Sequence, residues 1–181
     1  NASDMSGNGN HGTVNGASLA IDRNGRAASS YHFDGINDFI EVPNHSSLQL
    51  VNHSLVTWLK VHSSDQRPII KKDRHIGENY SLNVGYGIFT SQFYGATGAE
   101  RDKIQTDPIN ENIYYHLASS YGGGVFKIFL DGVLVRSFSP STVPVTDNEP
   151  LFIGYDGGYG YPTFSGVMDD IRIYNRALSD G

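Results

Sequence analysis

Short apolar–polar alternations, each closed by Gly, Asn or Asp, recur along the whole chain at roughly 10-residue spacing. That period of two is the signature of a strand with one face inward. No segment sustains a 3.6-residue apolar period, and "NRALSD" could make at most a turn of helix. In "SLVTWLKVH", Leu55, Leu59 and Val61 alternate with Val56, Trp58 and Lys60. Apolar residues on both faces predict a central strand of a two-layer fold, with Trp58 in the core. "YHFDGINDFIEVP" reads as two strands around a turn at Asp34–Asp38, with Tyr31 and Phe33 sharing one face and Ile40 and Val42 another. "RPIIKKD" and "NYSLNVGYGIFTSQFYG" are further short strands. "IYYHLASSY" could be helix or strand; its Tyr and Ile favour strand. "GVFKIFLDGVLVRSFS" is a hairpin turning on Asp131-Gly132. "PLFIG" and "DDIRIYN" close the chain, and residues 1–26 are loop-rich. An all-β sandwich or jelly roll follows.

Composition agrees. With 21 Gly, 11 Tyr and 18% charged residues, the 181-residue chain is too aromatic for disorder and too Gly-rich for a helical bundle. It suits one domain, residues 1–181, with no internal repeat or linker. Net charge is −6 with no Lys/Arg run, which disfavours nucleic acid and anionic membrane as partners. No apolar run approaches a membrane span. The acid is 14 Asp against 5 Glu, and Asp favours turns, where it can ligate cations. The absence of cysteine removes disulfides and thiolate chemistry.

The segment "GVMDDIRIYNRAL" poses a question. Asp169 and Asp170 stand side by side at the mouth of a half-apolar strand, where like charges repel. A catalytic pair, a cation site or a solvated turn would each account for them.

Five blocks, "DMSGNGNHGTVNGASL", "YHFDGINDFIEVP", "LVTWLKV", "YHLASSY…FKIFLDGVLV" and "DDIRIYNRALSD", follow one another in that order. Together they resemble the laminin G-like type 3 modules of the concanavalin A-like lectin/glucanase superfamily. The resemblance implies a two-sheet antiparallel jelly-roll sandwich, usually within large secreted or surface proteins of bacteria, often appended to glycan-degrading enzymes or adhesins, and often calcium-binding. It also implies a first strand upstream of the Gly/Asn-rich loop that this chain lacks, as if cut from a longer polypeptide. Tyr115 stands where the family usually has Trp.

Calcium takes six to eight hard oxygens. "DMSGNGNHG" offers Asp4, Asn8 and Asn10; "DGIND" offers Asp34; "MDD" offers Asp169 and Asp170. No local motif marks a site. In the family's fold the first loop and the start of the last strand lie near each other, so a structural Ca2+ bridging them is expected, and it would offset the repulsion of the acid pair. Glycosidases need two carboxylates about 5–9.5 Å apart. No two glutamates are close in sequence, and adjacent aspartates on a strand point to opposite faces unless a bulge intervenes. The seven histidines show no zinc-site spacing, and there is no G-x-S-x-G elbow.

"GYDGGYGYPTF" places Tyr155, Tyr159 and Tyr161 beside Asp156 in a Gly-rich loop, and "GENYSLNVGYG" adds Asn79 and Tyr80. Sugars stack C–H faces on such rings, while hydroxyls take polar neighbours. The expectation is a non-catalytic, calcium-stabilised carbohydrate-recognition module of a larger extracellular or cell-surface bacterial protein. Its partner would be a glycan; the alternative is a protein-binding or spacer domain of an adhesin or multidomain enzyme.

Overall fold

The computed structural model describes residues 2–65, 67–72, 79–95, 101–158, 160 and 162–179. Fourteen strands are described: β1 (Thr13–Asn15), β2 (Ser18–Ala20), β3 (Ser30–Asp34), β4 (Phe39–Val42), β5 (His53–Val61), β6 (Arg67–Lys72), β7 (Tyr80–Gly85), β8 (Ile88–Tyr94), β9 (Arg101–Gln105), β10 (Tyr114–Gly122), β11 (Val125–Leu130), β12 (Val133–Phe138), β13 (Leu151–Ile153) and β14 (Ser165–Tyr174). The only helical element among the described residues is a 3-10 turn at Ser46–Leu48. None is long and apolar enough to cross a membrane.

The strands form two seven-stranded antiparallel sheets, in the orders β1-β4-β13-β6-β7-β8-β9 and β12-β11-β10-β5-β14-β3-β2. Period-two patterning sets what lies between them. Leu55, Leu59 and Val61 of β5 are fully buried, as are Phe33, Leu117, Phe126 and Ile128 of the same sheet. Facing them are Leu82, Phe89 and Phe93 of the other sheet. Phe93 lies 4.9 Å from both Tyr121 and Phe126, which ties the sheets together with rings. Burying each such side chain stabilises the fold by about 1.5–3 kcal/mol.

The β11–β12 hairpin turns on Asp131 and Gly132, both at positive φ (51° and 79°), the backbone a tight hairpin turn requires. "IYYHLASSY" is strand β10. Strand β9 was not legible in the sequence, because only Ile104 of its five residues is buried.

Trp58 differs from expectation. It sits on the outward face of β5 and is half-buried, while its neighbours Thr57 and Leu59 point inward. Its parity with Lys60 places it there, and other side chains cover it.

Candidate functional site

A β-bulge brings the two adjacent acids to one partner. The β14–β5 register shifts between Asp169 and Arg172, and Asp170 takes a left-handed backbone, φ 49°. An extra residue in a strand rotates its neighbours out of strict alternation. Both carboxylates therefore meet the guanidinium of Arg23: Nη1 lies 2.5 Å from Asp169 Oδ2 and Nη2 lies 2.9 Å from Asp170 Oδ2. Arg172 adds a 3.3 Å contact to Asp170 Oδ1. The positive charge beside the acid pair is thus supplied by the protein itself. Burial pushes the Asp169 carboxyl above its ordinary value against the pull of Arg23.

Arg23 also stacks over Trp58, 4.7 Å from the ring centroid. His116 flanks the same indole at 5.1 Å. The strand register explains the grouping. Trp58 is opposite His116 on one side and Asp169 on the other. One step along, Lys60 is opposite Tyr114 and Val167, and Val167 is opposite His32. Lys60 Nζ lies 5.0 Å from the Tyr114 ring, and His32 is 5.8 Å from His62. Trp58, Lys60, Tyr114, His116, His32 and His62 are all half-buried. Burial holds His116 and His62 below the usual imidazole value. This outer face combines aromatic rings with charged and hydrogen-bonding groups.

A second feature is a cavity of about 720 Å³ between the opening segment and the C-terminal half of β14. Asp4, Asn8, Asn10, Asp169 and Asp170 all line it; Asp34 does not. Asp34 lies at the far end of β3, opposite Ser165, and accepts the amides of Ile36 and Asn37. Asp4 Oδ1 accepts the Ser6 amide; Oδ2 accepts the Ser6 hydroxyl and the Asn10 amide, and the Ser6 amide leads in lowering its pKa. Asn10 Nδ2 donates to Ser47 Oγ. Among the described residues no three His, Cys, Asp or Glu side chains are grouped to hold a metal. With Arg23 between them, Asp169 and Asp170 do not fit a dication. Across the cavity, among the described residues, no Lys or Arg pairs with Asp4, Asn8 or Asn10, whose side chains keep hard oxygens.

The tyrosine loop is assembled differently from the expected platform. Tyr155 stacks on Phe39 at 4.9 Å and meets Phe152 edge-on at 5.4 Å, so its ring packs on the sandwich. Asp156 is buried and accepts the Gly158 amide. Tyr80 and Asn79 do not join a surface: both are fully buried. The Tyr80 hydroxyl donates to Leu48 O, and Asn79 bonds both backbone groups of Leu50. They anchor the 3-10 turn from within. Tyr159 and Tyr161 lie outside the described residues.

A profile of the laminin G-like 3 family of the concanavalin A-like lectin/glucanase superfamily matches residues 33–181. The chain belongs to this family. No curated protein matches this laminin G-like chain in sequence. Its fold is shared by several solved structures. One is the binding domain of Paraclostridial Mosquitocidal Protein 1, at TM-score 0.80 and 17% identity, covering 98% of this chain and 47% of that one. Another is domain 4 of AbnA, a GH43 extracellular arabinanase from Geobacillus stearothermophilus, solved with arabinotriose, at TM-score 0.78 and 20% identity, covering 99% and 89%. A third is the ligand binding domain of botulinum neurotoxin serotype D with N-acetylneuraminic acid, at TM-score 0.75 and 17% identity, covering 98% and 45%. The laminin G-like chain spans about half the length of the toxin domains it matches.

Proposed function

We propose that this chain is a non-catalytic carbohydrate-recognition module of an extracellular protein. The observation that carries the reading is the outer face of the β5-containing sheet. There Trp58, Tyr114 and His116 stand half-buried beside Arg23, Lys60 and Asp170. Tyr114 and His116 offer ring surface to the C–H faces of a sugar, Trp58 supports them from beneath Arg23, and the charged groups around them hydrogen-bond its hydroxyls. The complexes of the arabinanase domain with arabinotriose and of the toxin domain with N-acetylneuraminic acid support the ligand class. A dissociation constant on the order of micromolar to millimolar is expected for such a shallow site, about −8 to −4 kcal/mol.

A non-catalytic role is supported by the state of the acid pair. General acid catalysis needs one carboxyl free to give a proton and a second placed across the scissile bond. Asp169 and Asp170 instead share one guanidinium. A structural calcium ion is a separate proposal, placed on the Asp4, Asn8 and Asn10 side of the cavity, where side-chain oxygens and glycine-turned carbonyls are the ligand type calcium takes.

The test is a glycan array together with pull-downs on arabinan oligosaccharides and sialylated glycans. Binding is expected, weakened at least tenfold by Tyr114→Ala and by Lys60→Ala with melting temperatures unchanged. No binding across the array, or binding that survives both changes, rejects the reading. A protein partner is the second reading. It is favoured by the exposed apolar residues of edge strand β12, where Val133 is 67% and Leu134 43% exposed.

A further inference from the structure

Val167 of β14 lies opposite His32 of β3 on one side and Lys60 of β5 on the other, and Lys60 lies opposite Tyr114 of β10. Directly opposed residues of a sheet share a face, so these four make one row across the outer face. His62, two positions beyond Lys60, keeps the same parity, and its ring lies 5.8 Å from that of His32. Three basic side chains and one aromatic ring thus surround Val167. That valine is 5% exposed yet stands apart from the core cluster, as the floor of such a ring should. Adjacent strands lie about 4.8 Å apart, so the floor separates the backbones of β3 and β5 by two strand spacings.

The charge around this floor differs from the rest of the molecule. The chain carries a net −6, and Arg23, Arg67, Lys72, Arg136 and Arg172 each meet a carboxylate. Among the described residues no carboxylate pairs with Lys60, His32 or His62. Lys60 Nζ meets the Tyr114 ring instead. The acids of neighbouring elements are engaged elsewhere. Asp34 of β3 accepts the amides of Ile36 and Asn37, which, with His32 last, hold its carboxyl below the ordinary value. Asp22 accepts the amides of Asn24 and Arg26, and Asp169 and Asp170 share Arg23. Burial first, then Lys60 and His32, hold the His62 imidazole below its ordinary value. Basic groups crowded together repel one another's charge, and an anion placed among them relieves this.

We propose that this part of the outer face selects a sugar bearing a carboxylate over the same sugar without the charge. The proposal rests on the glycan reading of that face. Lys60, His32 and His62 take the carboxylate, while Val167 and Tyr114 take the C–H face of the ring. A small inorganic anion would use the basic groups but not the valine and the tyrosine. As pH falls, protonation of His32 and His62 adds positive charge. A sugar carboxylate, with a pKa near that of an α-carboxyl at about 3.3–3.7, stays ionised meanwhile. Binding of the acid therefore strengthens from pH 7.5 to pH 5.5.

The test prints oligosaccharides of galacturonic and glucuronic acid, and sialyllactose, each beside its methyl ester, which keeps the rings and removes the charge. Neutral glycans share the array, and the 181-residue chain is the probe. At pH 5.5 at least one acid is expected to bind about fivefold tighter than its ester, the weight of one solvated ion pair. That margin should shrink at pH 7.5 and in high salt. Lys60→Gln, and separately His32→Gln with His62→Gln, should remove it with melting temperatures unchanged. Equal binding of acids and esters, or binding confined to neutral glycans, overturns the proposal and leaves the glycan reading standing. So does a margin that survives in both variants. No binding anywhere on the array removes the glycan reading and this proposal with it. Displacement of a bound acid by an equal concentration of inorganic sulfate would assign a simple anion site and overturn the sugar.

Discussion

At the residue scale, two side chains tie stability to charge, one by refusing a proton and one by supplying a cation. His53 is fully buried among Tyr80, Phe93 and Tyr121, with Nδ1 3.1 Å from Val51 O. Burial pushes its pKa down to about 4 from 6.5. The unfolded chain therefore binds a proton between those values that the folded chain refuses, so stability falls as pH drops through this window. The loss reaches about 3 kcal/mol by pH 4. Urea unfolding from pH 7 to 4 should show that slope, and His53→Phe should flatten it. Arg23 is the second case. Arg23→Ala leaves Asp169, 7% exposed, beside Asp170 with no guanidinium between them. A loss of about 2–3 kcal/mol is expected, less than for a fully buried pair because Arg23 and Asp170 are partly solvated. Adding Asp169→Asn and Asp170→Asn should recover most of it. If Arg23→Ala alone leaves the urea midpoint unchanged, the guanidinium is not what offsets the acids. Nothing local announces this pairing, since Arg23 and Asp169 are 146 positions apart.

At the element scale, β14 is held by close backbone approach as well as by side chains. A Cβ at Gly166 would stand 2.1 Å from the Lys60 carbonyl, at φ 150°. Gly166→Ala forces β14 and β5 apart and should cost about 3 kcal/mol, near 10 °C in melting temperature for a chain of this size. Gly25→Ala is the control: φ is also positive, at 82°, but the space is open. It should cost only about 1 kcal/mol. Equal melting shifts would remove the steric account of Gly166. The strands themselves were largely legible, because period-two alternation is local and β5, β11 and β14 display it. Trp58 misled because an apolar ring on the outer face looks like core until the parity of Lys60 is weighed. Strand β9 was missed because one buried Ile is too weak a pattern.

At the scale of the whole molecule, the sandwich presents two distinct features, an aromatic and charged outer face and a cavity between the opening segment and the C-terminal half of β14. Calcium belongs to this scale, since an ion bound only by the folded chain raises global stability. If the proposed ion binds at 100 times its dissociation constant, it contributes about 2.7 kcal/mol. That is roughly 5–10 °C between melts in excess calcium and in chelator. Superimposed melts would remove the ion and leave the fold and outer face as described.

Residues 1–181 carry in their own pattern the all-β class, the position of most strands, the Asp131-Gly132 turn and the shared face of Ile40 and Val42 in β4 and of Phe126 and Ile128 in β11. Each of these depends on neighbours only a few positions away. The tertiary structure decided the rest: that a bulge turns Asp169 and Asp170 onto Arg23, that Tyr80 and Asn79 are buried anchors, and that β14 pairs with β3 only from Ser165 to Met168 while β5 follows it to Tyr174. Register and layer stacking are long-range choices, set by burying apolar area and matching charge across the chain, and no local period encodes them.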